Sequence, residues 1–519
     1  MRVAILHHHF NRGGVTQVVA NHLRALAATA DTRSPPQIAL LYGGRHDGAP
    51  SEVLDGVPRL DSTRDVGPEL DSDASPRADG PRLTAKIADT LTALGWSPDE
   101  TVLHIHNHSL GKSASLAPAI CELAARGYGL LLQIHDFAED FRPDNYRLLL
   151  SAHGPTPAEL DAVLYPQAPH VHYAVLNGRD RGVLANLGVP DDCLHDLPNP
   201  VVASGTLPAH EEAKQQFAGR FDVALDRPLL VYPVRGIRRK NLGEMLLLST
   251  MTGQQATLAV TLAPLNPTER ASYDAWHRLA DELALSCRFD VGSDTGLPYL
   301  DNLAAADQLL TTSVAEGFGM VFLETWLNGR SLVGRDLLEI TADFTGAGVR
   351  FERLYEELRI PLEVIGGRDP LFAALQELYE GLYSAYQFPA APDNACRASL
   401  EPLLTDDAVD FAACPVALQE RAIRAAHTSA VVRQQMHDLN PGLRDALTAN
   451  SESQQPLIEH NANVVRDKYS LARCAERLHA LYGEVLASPR AAQVAAPAKP
   501  GGVLFSFLNS ARMCPVRFE

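Results

Sequence analysis

The sequence predicts an α/β protein made of two successive doubly wound halves, each a parallel sheet covered by helices. Two observations lead there. Short apolar runs alternate with helical stretches from Val3 onward, pause near Leu197-Pro-Asn-Pro-Val201, and restart at Leu229-Leu-Val-Tyr-Pro-Val234. Strands separated by helices pair in parallel, because only a crossover helix returns the chain to the same end of the sheet. Second, the stretch from Ala306 to Gly329 reads as a strand, a glycine turn and a helix, stopped at Asn328-Gly329. Such a turn leaves backbone N–H groups free beside a helix start, where phosphate or a sugar hydroxyl can bind.

In the first half, Val3 to Leu6 is a buried strand and His7 to Gly14 a loop. Val15 to Ala28 is a helix with Val18, Val19, His22, Leu23 and Leu26 on one face. Strands follow at Ile38–Leu41, Val102–His106, Leu130–Ile134 and Tyr173–Leu176, with helices between them. Residues 43–80 are rich in Gly, Pro, Asp and Ser and predict a mobile excursion. In the second half, helices at Leu242–Thr250, Glu269–Leu285 and Tyr299–Ala306 alternate with strands at Ala256–Leu262 and around Phe289. The expected organisation is two Rossmann-like domains facing a central cleft, residues 1–200 and 201–463. The second carries a largely helical elaboration over about 344–461, a terminal helix at 464–487 crosses back, and 488–519 is a flexible tail with an apolar docking end at Val503–Leu508.

Composition narrows the function. The net charge of −18 over 519 residues opposes nucleic-acid binding and attraction to anionic membranes. Hydrophobic residues at 46% allow a sizeable core. Seven scattered cysteines without a C-x-x-C pair fit reduced thiols, and no apolar run is long enough for a signal peptide or membrane helix, so a cytoplasmic protein is expected.

On this acidic background local basic clusters stand out. Arg235-Gly-Ile-Arg-Arg-Lys-Asn241 follows the first strand of the second half, where ligands collect in open α/β sheets. Glu316 and Glu324 bracket Gly317-Phe318-Gly319, eight positions apart. Gly13 and Gly14, after Arg12, open the first helix and allow close backbone approach to a ligand. His135-Asp136 ends a central strand. His104, His106 and His108 alternate, which puts them on one strand face, but no carboxylate or thiolate completes a metal set. They are expected to line a polar cleft, with no metal required.

These features resemble the retaining GT-B glycosyltransferases of family 4, the glycogen-synthase and sucrose-synthase relatives. Glu316 and Glu324 match that family's E-x7-E motif, and Arg235 and Lys240 its diphosphate-binding arginine and lysine. The resemblance covers about residues 1–340 and the helix near 464–486. It implies transfer of a hexosyl group from a nucleoside-diphosphate sugar, UDP- or GDP-linked, to a small-molecule or glycan acceptor, with retention and without a cofactor. In that reading His135, Arg235, Lys240 and Glu316 are catalytic. Gly13, Gly14, Arg235, Lys240, Glu316, Gly317, Phe318, Gly319 and Glu324 hold the donor. Asn107, His108, Lys112 and Asp136 are acceptor-side candidates. Arg335 and Glu339 stand where the family often has a glycine-rich loop, a departure that leaves Glu339 without an assigned role. An inactive nucleotide-sugar-binding relative or a sugar-nucleotide epimerase on the same fold are the alternatives; the intact His135, Arg235, Lys240 and Glu316 set argues against the former.

Overall fold

Apolar strands of β-branched and leucine residues nucleate two parallel sheets in the computed structural model. It describes all residues except 12, 29–35, 44–58, 61–69, 71–77, 390–392, 450–451, 510–513 and 519. Most of the excursion expected over 43–80, together with Arg12, therefore lies outside the described residues.

The first sheet has seven strands, β1 (Arg2–His7), β2 (Gln37–Tyr42), β3 (Arg59–Leu60), β4 (Thr101–His106), β5 (Gly129–Gln133), β6 (Val171–Val175) and β7 (Leu194–Asp196), in the order β3-β2-β1-β4-β5-β6-β7. All are parallel; Val3, for example, faces Ile38 on one side and Val102 on the other. The helices are α1 (Gly14–Ala28), α2 (Gly80–Ala93), α3 (Leu116–Ala125), α4 (Pro143–His153), α5 (Pro157–Leu164) and α6 (Gly178–Leu187). Asn177 caps α6 by accepting from Asp180 N at 2.9 Å, the turn-organising role its position implies.

The second sheet has six strands in the order β10-β9-β8-β11-β12-β13. Its elements are α7 (His210–Phe221), β8 (Leu229–Arg235), α8 (Leu242–Thr252), β9 (Thr257–Leu262), α9 (Pro267–Glu282), β10 (Cys287–Arg288), α10 (Tyr299–Ala305), β11 (Gln308–Thr311), α11 (Val321–Leu327), β12 (Ser331–Arg335), α12 (Leu338–Gly346) and β13 (Leu354–Tyr355). The elaboration is helical, as expected, but it also contains a three-stranded antiparallel sheet, β14-β16-β15, from β14 (Arg359–Pro361), β15 (Leu404–Thr405) and β16 (Ala408–Asp410). Strands of two or three residues carry no readable period. Around it lie α13 (Leu362–Ile365), α14 (Arg368–Ala385), α15 (Asp393–Leu400), α16 (Val416–Thr428), α17 (Ala430–Leu439) and α18 (Leu443–Thr448), followed by α19 (Gln455–Lys468), α20 (Leu471–Ala487) and α21 (Gly502–Phe507).

The chain divides into one unit of Met1–Pro200, Ala385–Gln387 and Asp467–Leu508, and a second of the remainder. The helix read over 464–487 is interrupted at Tyr469–Ser470, where Ser470 caps α20 through Arg473 N at 3.4 Å. Helix α20 enters the core of the first unit: Leu478, Tyr482 and Val485 are buried with Val3, Ile5, Leu23 and Val102. The expected flexible tether is corrected by the structure. Gln167 and Ala495 exchange two backbone hydrogen bonds of 2.8 Å, Lys499 N donates to Leu187 O at 3.1 Å, and the Asp161 carboxylate accepts from Gly501 N at 2.6 Å. These main-chain bonds fix a segment whose Ala/Pro-rich composition gives no hint of a partner. The apolar end does dock, as α21, through Val503, Leu504 and Phe507. The last turn, Pro515–Arg517, belongs to the second unit and packs against the turn Arg238–Lys240.

Candidate active site

In the second unit, β11 ends at Thr311 and the chain turns through 312–320 into α11. Gly319 has φ +82°, and a Cβ there would come within 2.8 Å of the buried Phe322 ring, so the turn requires glycine. Thr312 Oγ1 donates to Lys240 O at 2.8 Å and Val314 N to Arg239 O at 2.9 Å. These bonds tie the glycine turn to the basic turn after β8, so the two motifs that sequence reading found 76 residues apart are one structural feature.

The tie brings their charges together. Lys240 Nζ donates to Glu316 Oε1, and Arg239 lies 3.6 Å from Glu316 Oε2. Lys240 and Glu316 are only 9% and 8% exposed. Burial would push the Glu316 carboxyl up, but Lys240 and then Arg239 outweigh it and hold it below the ordinary carboxylate range. The pair is therefore ionic. Arg235 stands apart at the end of β8, exposed, donating to Ala263 O at 3.3 Å. It is Arg239, not Arg235, that touches Glu316. Phe318 is buried against Phe344 with ring centroids 5.4 Å apart, so it shapes the turn.

Glu324, in the first turn of α11, is half-buried and has no hydrogen-bond or ion-pair partner for its carboxylate among the described residues. Burial alone raises its pKa to about 7. An unpaired carboxylate in such a place invites a hydroxyl-bearing ligand. Arg335 ends β12 buried between Glu244 (2.7 Å) and Asp410 (2.7 Å), with Tyr355 donating to Glu244 at 2.8 Å. It braces the sheet and offers nothing to a ligand. Glu339 is exposed in the first turn of α12.

In the first unit, β4 and β5 end side by side and carry the histidines. Asn107 takes a left-handed conformation, φ 62°, which ends β4 at His106. Its Oδ1 accepts from His135 N (3.2 Å) and Asp136 N (2.9 Å), and its carbonyl is 3.1 Å from His8 Nε2. As an acceptor-binding candidate Asn107 is corrected: its polar atoms are committed to the strand ends. His108 is corrected too, because the turn at Asn107 sends its fully buried ring to Leu164 O at 2.9 Å, away from His104 and His106. Asp136 is paired with Arg142 at 2.6 Å. Lys112 is half-exposed and makes no ion pair or side-chain hydrogen bond among the described residues, which leaves it available.

His135 Nε2 lies 3.0 Å from His106 Nδ1, an orienting contact between two strand ends 29 residues apart that local spacing does not show. Burial lowers the His135 pKa to about 4, against a smaller opposing pull from Asp136. Gly13 and Gly14 stand at the start of α1; a Cβ would meet only Asn11 O at 3.8 Å at the first and nothing at the second. Two steps beyond Phe137, Glu139 is fully buried beneath Tyr165, whose hydroxyl donates to it at 3.2 Å. Burial and Asp161 push the Glu139 carboxyl up to about 8. The folded state holds its proton more tightly than the unfolded chain, so stability falls as pH rises from the ordinary value toward 8. Glu139→Gln is expected to raise the melting temperature at pH 9 and leave it nearly unchanged at pH 5, measured by calorimetry.

No protein-family model matches the chain. It is 26% identical over 434 residues to the mannosylglucosyl-3-phosphoglycerate synthase of Petrotoga mobilis, covering 80% of this chain and 79% of that protein. By structure it resembles a sucrose-phosphate synthase from Thermosynechococcus elongatus, with TM-score 0.53 and 14% identity over 94% of this chain and 99% of that one. It also resembles Anabaena HepE in complex with UDP and glucose, with TM-score 0.50 and 11% identity over 93% and 99%. The two parallel sheets and the helical C-terminal region are those of the GT-B glycosyltransferase fold.

Proposed function

We propose that the protein is a retaining glycosyltransferase, which moves a hexosyl group from a nucleoside-diphosphate sugar to the hydroxyl of a small acceptor. The observation that carries this reading is the contrast between the two glutamates of one strand–turn–helix unit. Glu316 is ionic and held by Lys240 and Arg239, while the half-buried Glu324 carboxylate has no hydrogen-bond or ion-pair partner among the described residues. The leaving diphosphate gathers negative charge in a loose transition state, and neutralising that charge is the main electrostatic task. Arg235 and Lys240 take it, with Arg239 beside Lys240 and the backbone of Gly13 and Gly14 as further donors. Glu316 holds hydroxyls of the donor sugar, Glu324 the ribose, and His135 the face of the reacting ring. The positive charge comes from side chains, so the transfer itself needs no metal on the diphosphate. The Petrotoga relative's name supports a small anionic glycoside as acceptor, and Lys112, which makes no ion pair among the described residues, is a cation of the first unit suited to meet its charge.

The test is a thermal-shift screen of UDP-, GDP- and ADP-linked hexoses, followed by product analysis with glucosyl-3-phosphoglycerate as acceptor. One donor class should raise the melting temperature, and the product should keep the donor's anomeric configuration. An inverted product would refute retention, and no shift with any donor would refute the nucleotide-sugar site.

A further inference from the structure

Two histidines of β4 and one of α1 meet in the core of the first unit. His104 and His106 are two residues apart on the strand, so they share a face, and His22 reaches them from α1. All three are buried to 0% exposure. Their ring centroids are 4.3 Å (His104–His106), 5.6 Å (His22–His106) and 5.7 Å (His22–His104) apart. Three imidazoles around a tetrahedral metal at about 2.0–2.1 Å from each nitrogen would place their centroids roughly 5 Å apart. One candidate nitrogen from each ring already lies within 4.8 Å of the other two; His104 is stacked on His106 and His22, at 27° and 21° between ring planes, so metal binding would turn the rings out of the stack and draw their nitrogens to the roughly 3.3 Å such a site needs.

The hydrogen bonds around the trio have the form a metal would require. Both ring nitrogens of His22 and Nε2 of His106 are buried without a hydrogen-bond partner among the described residues. Orphaned buried polar atoms cost free energy and call for an explanation. His106 Nδ1 faces His135 Nε2 at 3.0 Å, which leaves its orphaned Nε2 as the donor atom. His104 Nε2 faces Gln133 Oε1, an acceptor, at 3.0 Å, which keeps the proton there and a lone pair on Nδ1. Tyr482 Oη meets that lone pair at 2.9 Å and would be displaced from it. A ligating histidine commonly donates its other N–H to a fixed acceptor, and two of the three rings here have one. Burial also holds all three rings uncharged at neutral pH, the form that binds metal.

We propose that His22, His104 and His106 form a buried three-histidine site for a divalent first-row transition metal, zinc foremost, with the fourth position left to a water or the displaced Tyr482 hydroxyl. Neutral imidazoles without thiolate or carboxylate suit zinc and its neighbours rather than magnesium or calcium. The site is separate from the diphosphate chemistry proposed above and stands whichever donor is used. Its link to the first unit's strand ends is His106: metal on Nε2 keeps the proton on Nδ1, so His135 Nε2 becomes the acceptor of that bond. A second group, His172, His195 and Glu484, also gathers, but Glu484 is exposed and none of the group's ring nitrogens is a buried atom without a partner among the described residues, so nothing there calls for a metal.

The experiment titrates the full-length, chelator-stripped chain with Zn(II) and, separately, with Co(II). Expected are about one equivalent bound per chain, a higher melting temperature with Zn(II), and the intense visible bands of tetrahedral Co(II). His22→Phe, similar in bulk, should lose the equivalent and the bands, while His195→Gln should keep both. Wild-type chain that takes up no stoichiometric metal would overturn the proposal, whatever the variants do. So would binding that survives in His22→Phe or is lost in His195→Gln. Should His22→Phe fail to fold, His106→Asn is read in the same way, and loss of the Co(II) bands there supports the site.

Discussion

Arg235→Ala is expected to fold as the wild type does and to turn over two to three orders of magnitude more slowly, the usual cost of losing a donor that stabilises transition-state charge. The fold should tolerate it because Arg235 is exposed and bonded only to a carbonyl. Lys240→Ala should lose as much turnover but, unlike a residue at a cleft edge, should also destabilise the protein. Its ammonium is buried against Glu316, and removing one member of a buried pair leaves the other charge uncompensated, at about 3–5 kcal/mol. Arg239, 3.6 Å from Glu316, offsets part of that. The double variant Lys240→Met/Glu316→Gln removes both charges and should regain much of the stability while remaining inactive. Denaturant unfolding and steady-state rates on the same preparations separate the effects. Normal turnover in Arg235→Ala would remove that residue from the diphosphate site, and an inactive double variant no more stable than Lys240→Ala would mean that the pair does not matter to the fold.

Glu324→Gln should do two opposite things. Burial raises the Glu324 pKa to about 7, so the folded chain pays for an unpaired charge above that pH. The sign follows from linkage: the folded state binds the proton more tightly than the unfolded chain, so stability falls as pH climbs from the ordinary carboxylate range to about 7, then levels off. Glutamine, which carries no charge, removes this pH dependence. The variant's melting temperature should exceed the wild type's at pH 8 and match it near pH 5. Its affinity for free nucleoside diphosphate should drop, because a charged acceptor for the ribose hydroxyls costs about 1.5–3 kcal/mol to lose, roughly ten- to a hundredfold. Wild-type affinity should also climb between pH 6 and 8 relative to the variant. Glu316→Gln should leave that affinity nearly unchanged and lower turnover instead. Calorimetry giving the reverse pattern would exchange the two assignments.

What could be read from the sequence is what is local in the chain. The glycine turn, the glutamates around it and the arginine–lysine spacing sit within single strand–turn–helix units, where spacing implies placement. Gly319, with its positive φ, is the clearest instance. Contacts made over long separations were invisible. His22 reads as one more residue on the inner face of α1, and nothing local says that it meets His104, 82 positions away. Alternation suggested His108 instead, and a single left-handed residue, Asn107, removed it. Arg335 looked like part of a ligand loop because its partners Glu244 and Asp410 are remote in sequence. The tail looked unattached because its anchors at Gln167 and Asp161 are backbone and capping bonds, which composition does not encode.

The make-up of the first unit has a consequence for how the protein is synthesised. Its core is closed by α20, whose Leu478, Leu481, Tyr482 and Val485 pack onto strands and a helix laid down within the first 102 residues. On the ribosome, residue 200 emerges long before residue 487. At roughly 5–20 residues per second the wait is about 15–60 s. Through that interval Val3, Ile5, Leu23 and Leu26 lack the residues of α20 that complete their burial, and the apolar surface left open is expected to make the nascent first unit aggregation-prone. A chain ending before α20 is expected to aggregate rather than yield a smaller soluble domain, which size-exclusion chromatography of residues 1–466 would check.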